Sequence, residues 1–183
     1  LAEAYSNRGL AYSRLGQNDR AIEDYNKAIQ LKPDLAEAYS NRGLAYSKLG
    51  KFDRAIEDYN KAIRLKPNLA EAYSNRGLAY GKLGKYDRAV KDFNKAIKLK
   101  PDLAVAYSNR GWAYTNLGQN DRAIEDCNKA IQLKPDLAQA YKNRGLAYLR
   151  SGNKLEGCRS LIRASELGYD KEYIWAKDKG ECR

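Results

Sequence analysis

Histidine and methionine are absent from this 183-residue chain, which holds only four prolines, three cysteines, two tryptophans and two phenylalanines. Without histidine the commonest general acid–base group and metal ligand is missing. No other metal-ligand cluster takes its place, and no glycine loop joins a strand to a helix. An enzyme, a cofactor and a metal site are therefore not expected. No apolar run approaches the roughly 18 residues needed to span a bilayer, so no membrane partner is expected either. The lack of methionine and a start inside a repeated unit predict that an upstream segment, with any targeting signal, has been removed, which leaves localisation open.

What the chain does have is repetition. A 34-residue unit restarts at Leu1, Leu35, Leu69, Leu103 and Leu137, and residues 1–34 and 35–68 differ at only five positions. A fixed period of this length predicts a solenoid, in which each unit packs mainly on its neighbours. The predicted organisation is five units, 1–34, 35–68, 69–102, 103–136 and 137–170, followed by a capping helix and tail over 171–183. The net charge of +11 is local, with much of it in the second and third units, where Lys51, Arg64, Lys85, Lys91 and Lys98 fall in turns and second helices. Charge on solvated faces ordinarily serves solubility, so nucleic acid is the disfavoured partner.

Within a unit, the amphipathic stretch Ala36 to Leu49 ends at Gly50, and a second runs from about Phe52 to Leu65 before Lys66-Pro67. Gly50 suits a C-terminal cap with positive φ, and Pro67 ends the second helix because it has no N–H to donate. Asp34 with Glu37, Asn68 with Glu71 and Asp136 with Gln139 predict capping boxes, a device that Val105 breaks after Asp102. At about 100° per residue, Tyr39, Gly43, Tyr46 and Leu49 form one stripe, answered on the second helix by Ala55, Ile56, Tyr59, Ala62 and Ile63. Most of the tyrosine is thus expected in the core, with Gly43 letting the helix axes approach.

The pattern Tyr39, Gly43, Tyr46, Gly50, Ala55, Tyr59, Ala62, Pro67 resembles the tetratricopeptide repeat, and the resemblance covers Ala2 to about Asp170. It implies an all-α fold, a right-handed superhelical solenoid of antiparallel helix pairs, with first helices lining a concave groove that binds proteins or peptides. The lysine, asparagine and arginine clamp with which some members hold a terminal carboxylate is not matched, because Ser6, Glu37, Glu71 and Leu10 stand at its positions.

On the first helix, opposite the packing stripe, Asn7, Asn41, Asn75, Asn109 and Asn143 form a ladder beside an apolar ridge of Leu10, Leu44, Leu78, Trp112 and Leu146. A side-chain amide both donates and accepts, so such a row suits the backbone of an extended peptide, with Trp112 as the leading hot spot. The alternative is that each Asn bonds a neighbouring helix and each Leu packs between first helices. Arg14, Lys48 and Lys82 at the far end of the face either attract an acidic ligand or form a solvated row. Arg8, Arg42, Arg76, Arg110 and Arg144 need partners at the margin of the packed face. Asp24, Asp58, Asp92 and Asp126 are the expected ones, and Ser160 replaces the aspartate in the last unit.

After Gly152 the pattern degrades, with Gly157, Leu161 and Tyr169 at alanine, tyrosine and proline positions. A terminal helix from Asp170 to about Lys179 is expected to cover the last unit with Tyr173, Ile174 and Trp175, since solenoid ends need a cap. The first unit has no such cover, which leaves a homo-oligomer through the N-terminal repeat open as a rival to peptide binding. Cys127 replaces the core tyrosines Tyr25 and Tyr59 and reads as a buried thiol. A helix rise of about 1.5 Å per residue sets Cys182 level with Cys158. A disulfide there would fasten the cap and imply a periplasmic or secreted protein; free thiols would suit the cytoplasm.

Overall fold

The computed structural model describes residues 1–182, which form eleven α-helices and, among those residues, no strand. The helices are α1 (Ala2–Arg14), α2 (Asn18–Leu31), α3 (Ala36–Lys48), α4 (Phe52–Leu65), α5 (Ala70–Lys82) and α6 (Tyr86–Leu99), then α7 (Ala104–Asn116), α8 (Asn120–Leu133), α9 (Ala138–Arg150), α10 (Lys154–Glu166) and α11 (Lys171–Asp178). The chain divides into two compact units, Leu1–Arg88 and the part from Ala89 onward. In the first, α1 packs on α2 and α3 on α4; in the second, α7 packs on α8 and α9 on α10, each pair antiparallel across a short loop. The fold class is an all-α helical-repeat solenoid.

The helix boundaries follow from local chemistry. Gly50 adopts φ +72° after α3, and the bonds Gly50 N–H to Ser47 O (3.0 Å) and Lys51 N–H to Tyr46 O (2.9 Å) close a Schellman motif. Pro67 ends α4 by pushing Lys66 into extended backbone, φ −139° and ψ 90°. The expected capping boxes are not formed. Helices α3, α5 and α9 begin with Leu35, Leu69 and Leu137 at the N-cap, with no side-chain cap bond. The tight turn after each proline leaves Asp34, Asn68 and Asp136 one residue too early, and Glu37 instead accepts from Lys66 Nζ at 2.8 Å. A side-chain cap does open α10, where Asn153 Oδ1 accepts from Glu156 N–H at 3.2 Å.

Each helix pair closes around a second-helix side chain. Tyr25 and Tyr59 are wholly buried in the first unit, with Cys127 and Leu161 at the same register in the second. The tyrosines of the first helices, Tyr39 and Tyr46, are only half-buried and lie under the Arg42 guanidinium, 5.5 and 6.0 Å from their centroids. Glycine in mid-helix costs about 1 kcal/mol relative to alanine, and Gly43 is accepted because a Cβ there would stand 3.0 Å from the Tyr59 ring and 3.2 Å from Ala55 O. The close approach is therefore to Ala55 and the Tyr59 ring.

The C-terminal segment covers the last pair through Tyr173 and Ala176 of α11 and Cys182 beyond it, which pack with Leu161 and Leu149. Ile174 and Trp175, expected on that face, are 55% and 49% exposed. An eight-residue helix turns only one narrow face to its support, and Tyr173 with Ala176 occupies it. Cys158 and Cys182 are joined by a disulfide that ties the end of the cap to α10.

Candidate interaction surface

The first helices carry the amide and leucine registers, and their spacing differs between the units. In Leu1–Arg88, α1 and α3, and likewise α3 and α5, touch only marginally; in the second unit α7 and α9 lie closely side by side. Asn7 is exposed, and Asn41 and Asn75 are half-buried; none of the three side-chain amides bonds another described residue. Asn109 and Asn143 are 3% and 2% exposed. Asn143 Nδ2 donates to Ser108 O at 2.9 Å and Oγ at 3.2 Å, while Asn109 Oδ1 accepts from Gln139 Nε2 at 2.8 Å. These two rungs are therefore turned into the scaffold and are withdrawn from any ligand, because a ligand would have to break bonds that the helices already make. Leu10, Leu44, Leu78, Trp112 and Leu146 are all half-buried.

The cations at the far end of the face are bracing groups in the positions where contacts are resolved. Lys48 Nζ donates to Ser13 O at 3.0 Å and to its Oγ at 3.1 Å. At the equivalent place in the second unit, Arg150 Nη1 donates to Thr115 O at 2.8 Å. Each adds a charged donor to a carbonyl in the last turn of the preceding first helix, which also accepts from Gly16 or Gly118 N–H, at the end where the helix dipole favours positive charge. Lys82 is engaged as well, and Arg14 is exposed.

Arginines at the margin form bidentate pairs with second-helix aspartates. Arg8 reaches Asp24 at 2.7 Å through both Nε and Nη2. Arg42 reaches Asp58 at 2.8 and 2.6 Å, and Arg110 reaches Asp126 at 2.7 and 2.6 Å. The Arg8 hydrogen bond holds Asp24 below the usual carboxylate range. In the last pair Arg144 Nε donates to Ser160 Oγ at 3.1 Å. A second partner was not anticipated from the sequence. Arg42, Arg76, Arg110 and Arg144 donate through Nη1 to Asn26, Asn60, Asn94 and Asn128 of the preceding second helix, at 2.6 to 2.8 Å. Arg42, Arg110 and Arg144 thus each stitch two consecutive second helices, and the recurrence of asparagine at those positions was the available signal.

No group of three or more His, Cys, Asp or Glu among the described residues could hold a metal ion. Cys127 is fully buried, and burial pushes its thiol up to about 12, so it is not a nucleophile at neutral pH. No helix among the described residues is long and apolar enough to cross a membrane.

Helix pairs recur at a fixed period, with Pro33, Pro67, Pro101 and Pro135 after the first four, and comparison with known proteins gives this arrangement its family. A model described as TPR repeat matches residues 14–50 and 46–84, and one described as Tetratricopeptide repeat matches 70–103 and 104–137. The chain belongs to the tetratricopeptide-repeat family. Among solved structures, a crystal structure of MamA protein is 31% identical over 93% of this chain and 93% of that one, with a TM-score of 0.76. YrrB, described as a TPR protein with an unusual peptide-binding site, shares 23% identity over 98% of this chain and 92% of that one (TM-score 0.74). TTC0263, a thermophilic TPR protein of Thermus thermophilus, shares 21% over 99% and 98% (TM-score 0.79), and these last two likenesses concern the fold alone. No curated protein matches the chain. As a tetratricopeptide-repeat protein the chain is an interaction scaffold.

Proposed function

We propose that the protein binds an extended peptide or partner segment along the first helices of Leu1–Arg88. The observation that carries this reading is the pair Asn41 and Asn75, half-buried amides without a bond to any described residue, beside the half-buried Leu44 and Leu78. Each amide can give a donor and an acceptor to a peptide backbone, and the leucines supply apolar contact. At about 0.5 to 1.5 kcal/mol net per hydrogen bond, and with the entropy of ordering a peptide opposing it, the affinity is modest. In the second unit the amides are occupied, so Trp112 and Leu146 contribute apolar contact alone. A peptide array probed with the parent and with folded Asn41→Ala/Asn75→Ala tests the reading. Loss of binding in the variant supports it, and binding at parent level contradicts it.

The Cys158–Cys182 disulfide supports an oxidising compartment as the site of action.

A further inference from the structure

We propose that the face of α6 carrying Lys91, Lys95 and Lys98 is a docking site for an acidic segment of a partner protein. All three residues are exposed. They stand at i, i+4 and i+7 of one helix, so at about 100° per residue they share an arc of about 60° and span roughly 10 Å of its length.

Three sister helices of the same period give the comparison. Where α6 has Lys91, α2, α4 and α8 have Glu23, Glu57 and Glu125. Each of those glutamates stands four residues before a lysine, Lys27, Lys61 or Lys129, in the order that supports a helix. Lys91 before Lys95 sets two like charges at that spacing, which opposes the helix instead. The sister lysines are also engaged. Lys27 and Lys61 lie 5.5 and 5.9 Å from the ring centroids of Tyr5 and Tyr39, and Lys129 Nζ donates to Gln132 Oε1 at 3.1 Å. Lys91, Lys95 and Lys98 have no hydrogen-bond, ion-pair or ring partner among the described residues. Arg88 belongs with the repeated features, since it lies 5.7 Å from Tyr80 as Arg54 lies 5.8 Å from Tyr46. Mixed charge keeps the sister helices hydrated, so hydration alone does not call for the reversal at Lys91.

The surroundings favour a narrow ligand that bears carboxylates. Arg110 ties Asn94 of α6 to Asp126 of α8, at 2.6 Å on each side. The next second helix is therefore α8, which carries the exposed Asp121 and Glu125, and Asp87 is exposed on α6 itself. A nucleic-acid duplex, wider than one helix, would meet those carboxylates together with the lysines. A single strand would find no exposed ring on α6 for its bases, since Phe93 is buried and Tyr86 half-buried. An extended peptide with acidic residues at alternate positions presents carboxylates about 6.6 Å apart. Successive lysines are separated by about 6.0 and 4.5 Å of helix rise, and ammonium groups on flexible four-carbon stems take up the difference. Contacts of this kind are exposed and screened, so the binding is weak and salt-dependent.

All three lysines lie in the second unit, and the proposal does not rest on the amide surface described above, so Asn41→Ala/Asn75→Ala is expected to leave this binding unchanged. The test titrates the isotope-labelled full chain at about 50 mM salt, following the backbone amide signals of α6 by NMR. The probes are a capped peptide of about eight residues alternating Glu and Ser, its Gln–Ser counterpart, and a thymidine single strand of the same span. Expected are saturable shifts over residues 91–98 with the Glu–Ser peptide, at least about tenfold weaker with Gln–Ser and again at about 500 mM salt. Lys91→Glu places there the residue of the sister helices and so keeps the fold; it is expected to weaken the Glu–Ser peptide about tenfold. Lys51→Glu makes the same change in net charge in the first unit and is expected to weaken it less than about twofold. Equal binding of Gln–Ser, equal weakening by the two charge reversals, or tighter binding of the thymidine strand than of the Glu–Ser peptide would overturn the assignment.

Discussion

The same asparagine register is accessible in one half of the molecule and internal in the other. In Leu1–Arg88 the first helices stand apart, and Asn41 and Asn75 keep their amides unengaged; from Ala89 onward α7 and α9 close together, and Asn109 and Asn143 become bonds between them. The difference traces to few residues. Where the first unit has Glu37, paired with Lys66, the second has Gln139, whose amide donates to Asn109. Where α1 and α3 carry Ser13 and Ser47, α7 and α9 carry Thr115 and Leu149. A repeated side chain thus has no fixed role: its neighbour one unit on decides whether it serves the scaffold or a visitor.

The comparison can be broken most severely through the ion pairs that both units share. Asp58→Ala leaves Arg42 unpaired at a position only 19% exposed, and a loss of about 3 kcal/mol is expected in urea unfolding. Arg144, whose partner is the neutral Ser160 at 3.1 Å, is expected to lose about 1 kcal/mol in Ser160→Ala. Equal losses in the two variants would show that the bidentate charge pair has no special weight.

Alkaline pH separates the units next. Burial pushes the Tyr59 and Tyr25 hydroxyls up to about 12. Their neutral form is favoured in the folded state, so this stability is fully present below pH 10, the unfolded value, and is lost as pH rises from 10 through about 12. The expected decline is on the order of 2 kcal/mol per tyrosine. Tyr59→Phe is expected to flatten that limb in a pH series of thermal midpoints, and an unchanged limb would contradict the assignment.

Smaller effects sharpen the amide contrast itself. Asn143→Ala removes a buried donor from Ser108 and is expected to cost about 1 to 2 kcal/mol. Asn41→Ala gains helix propensity and loses no internal bond, so a change within about 0.5 kcal/mol is expected. Gln139→Glu, which restores the first unit's residue, is expected to cost about 1 kcal/mol by removing the donor to Asn109. If all three variants melt with the parent, the amides of the second unit are not structural.

Much of the scaffold was legible because its determinants are local or recur with the period. Gly50 announces its own positive φ, Pro67 its helix end, and the arginine–aspartate pairs sit at a constant offset of 16 residues. The capping boxes misled because a one-residue difference in where the turn after proline delivers the chain takes Asp34 off the cap. The fate of the amides was not legible, because it depends on how closely consecutive first helices approach. That distance is a sum of many contacts across units and has no motif. Trp175 was misplaced for a related reason, since Tyr173, Ala176 and a disulfide already fill the narrow face by which α11 is held.

Side-chain amide hydrogen exchange of the asparagines, followed by NMR on the free protein at neutral pH, tests the division most directly. The account expects Asn41 and Asn75 amides to exchange at nearly the rate of an exposed model amide, and the Asn143 amide, held by Ser108, to be protected by at least about tenfold. Uniform protection across both units would mean that the first unit has no amides to offer a peptide, and uniform lability would mean that the second unit's helices are not joined through them.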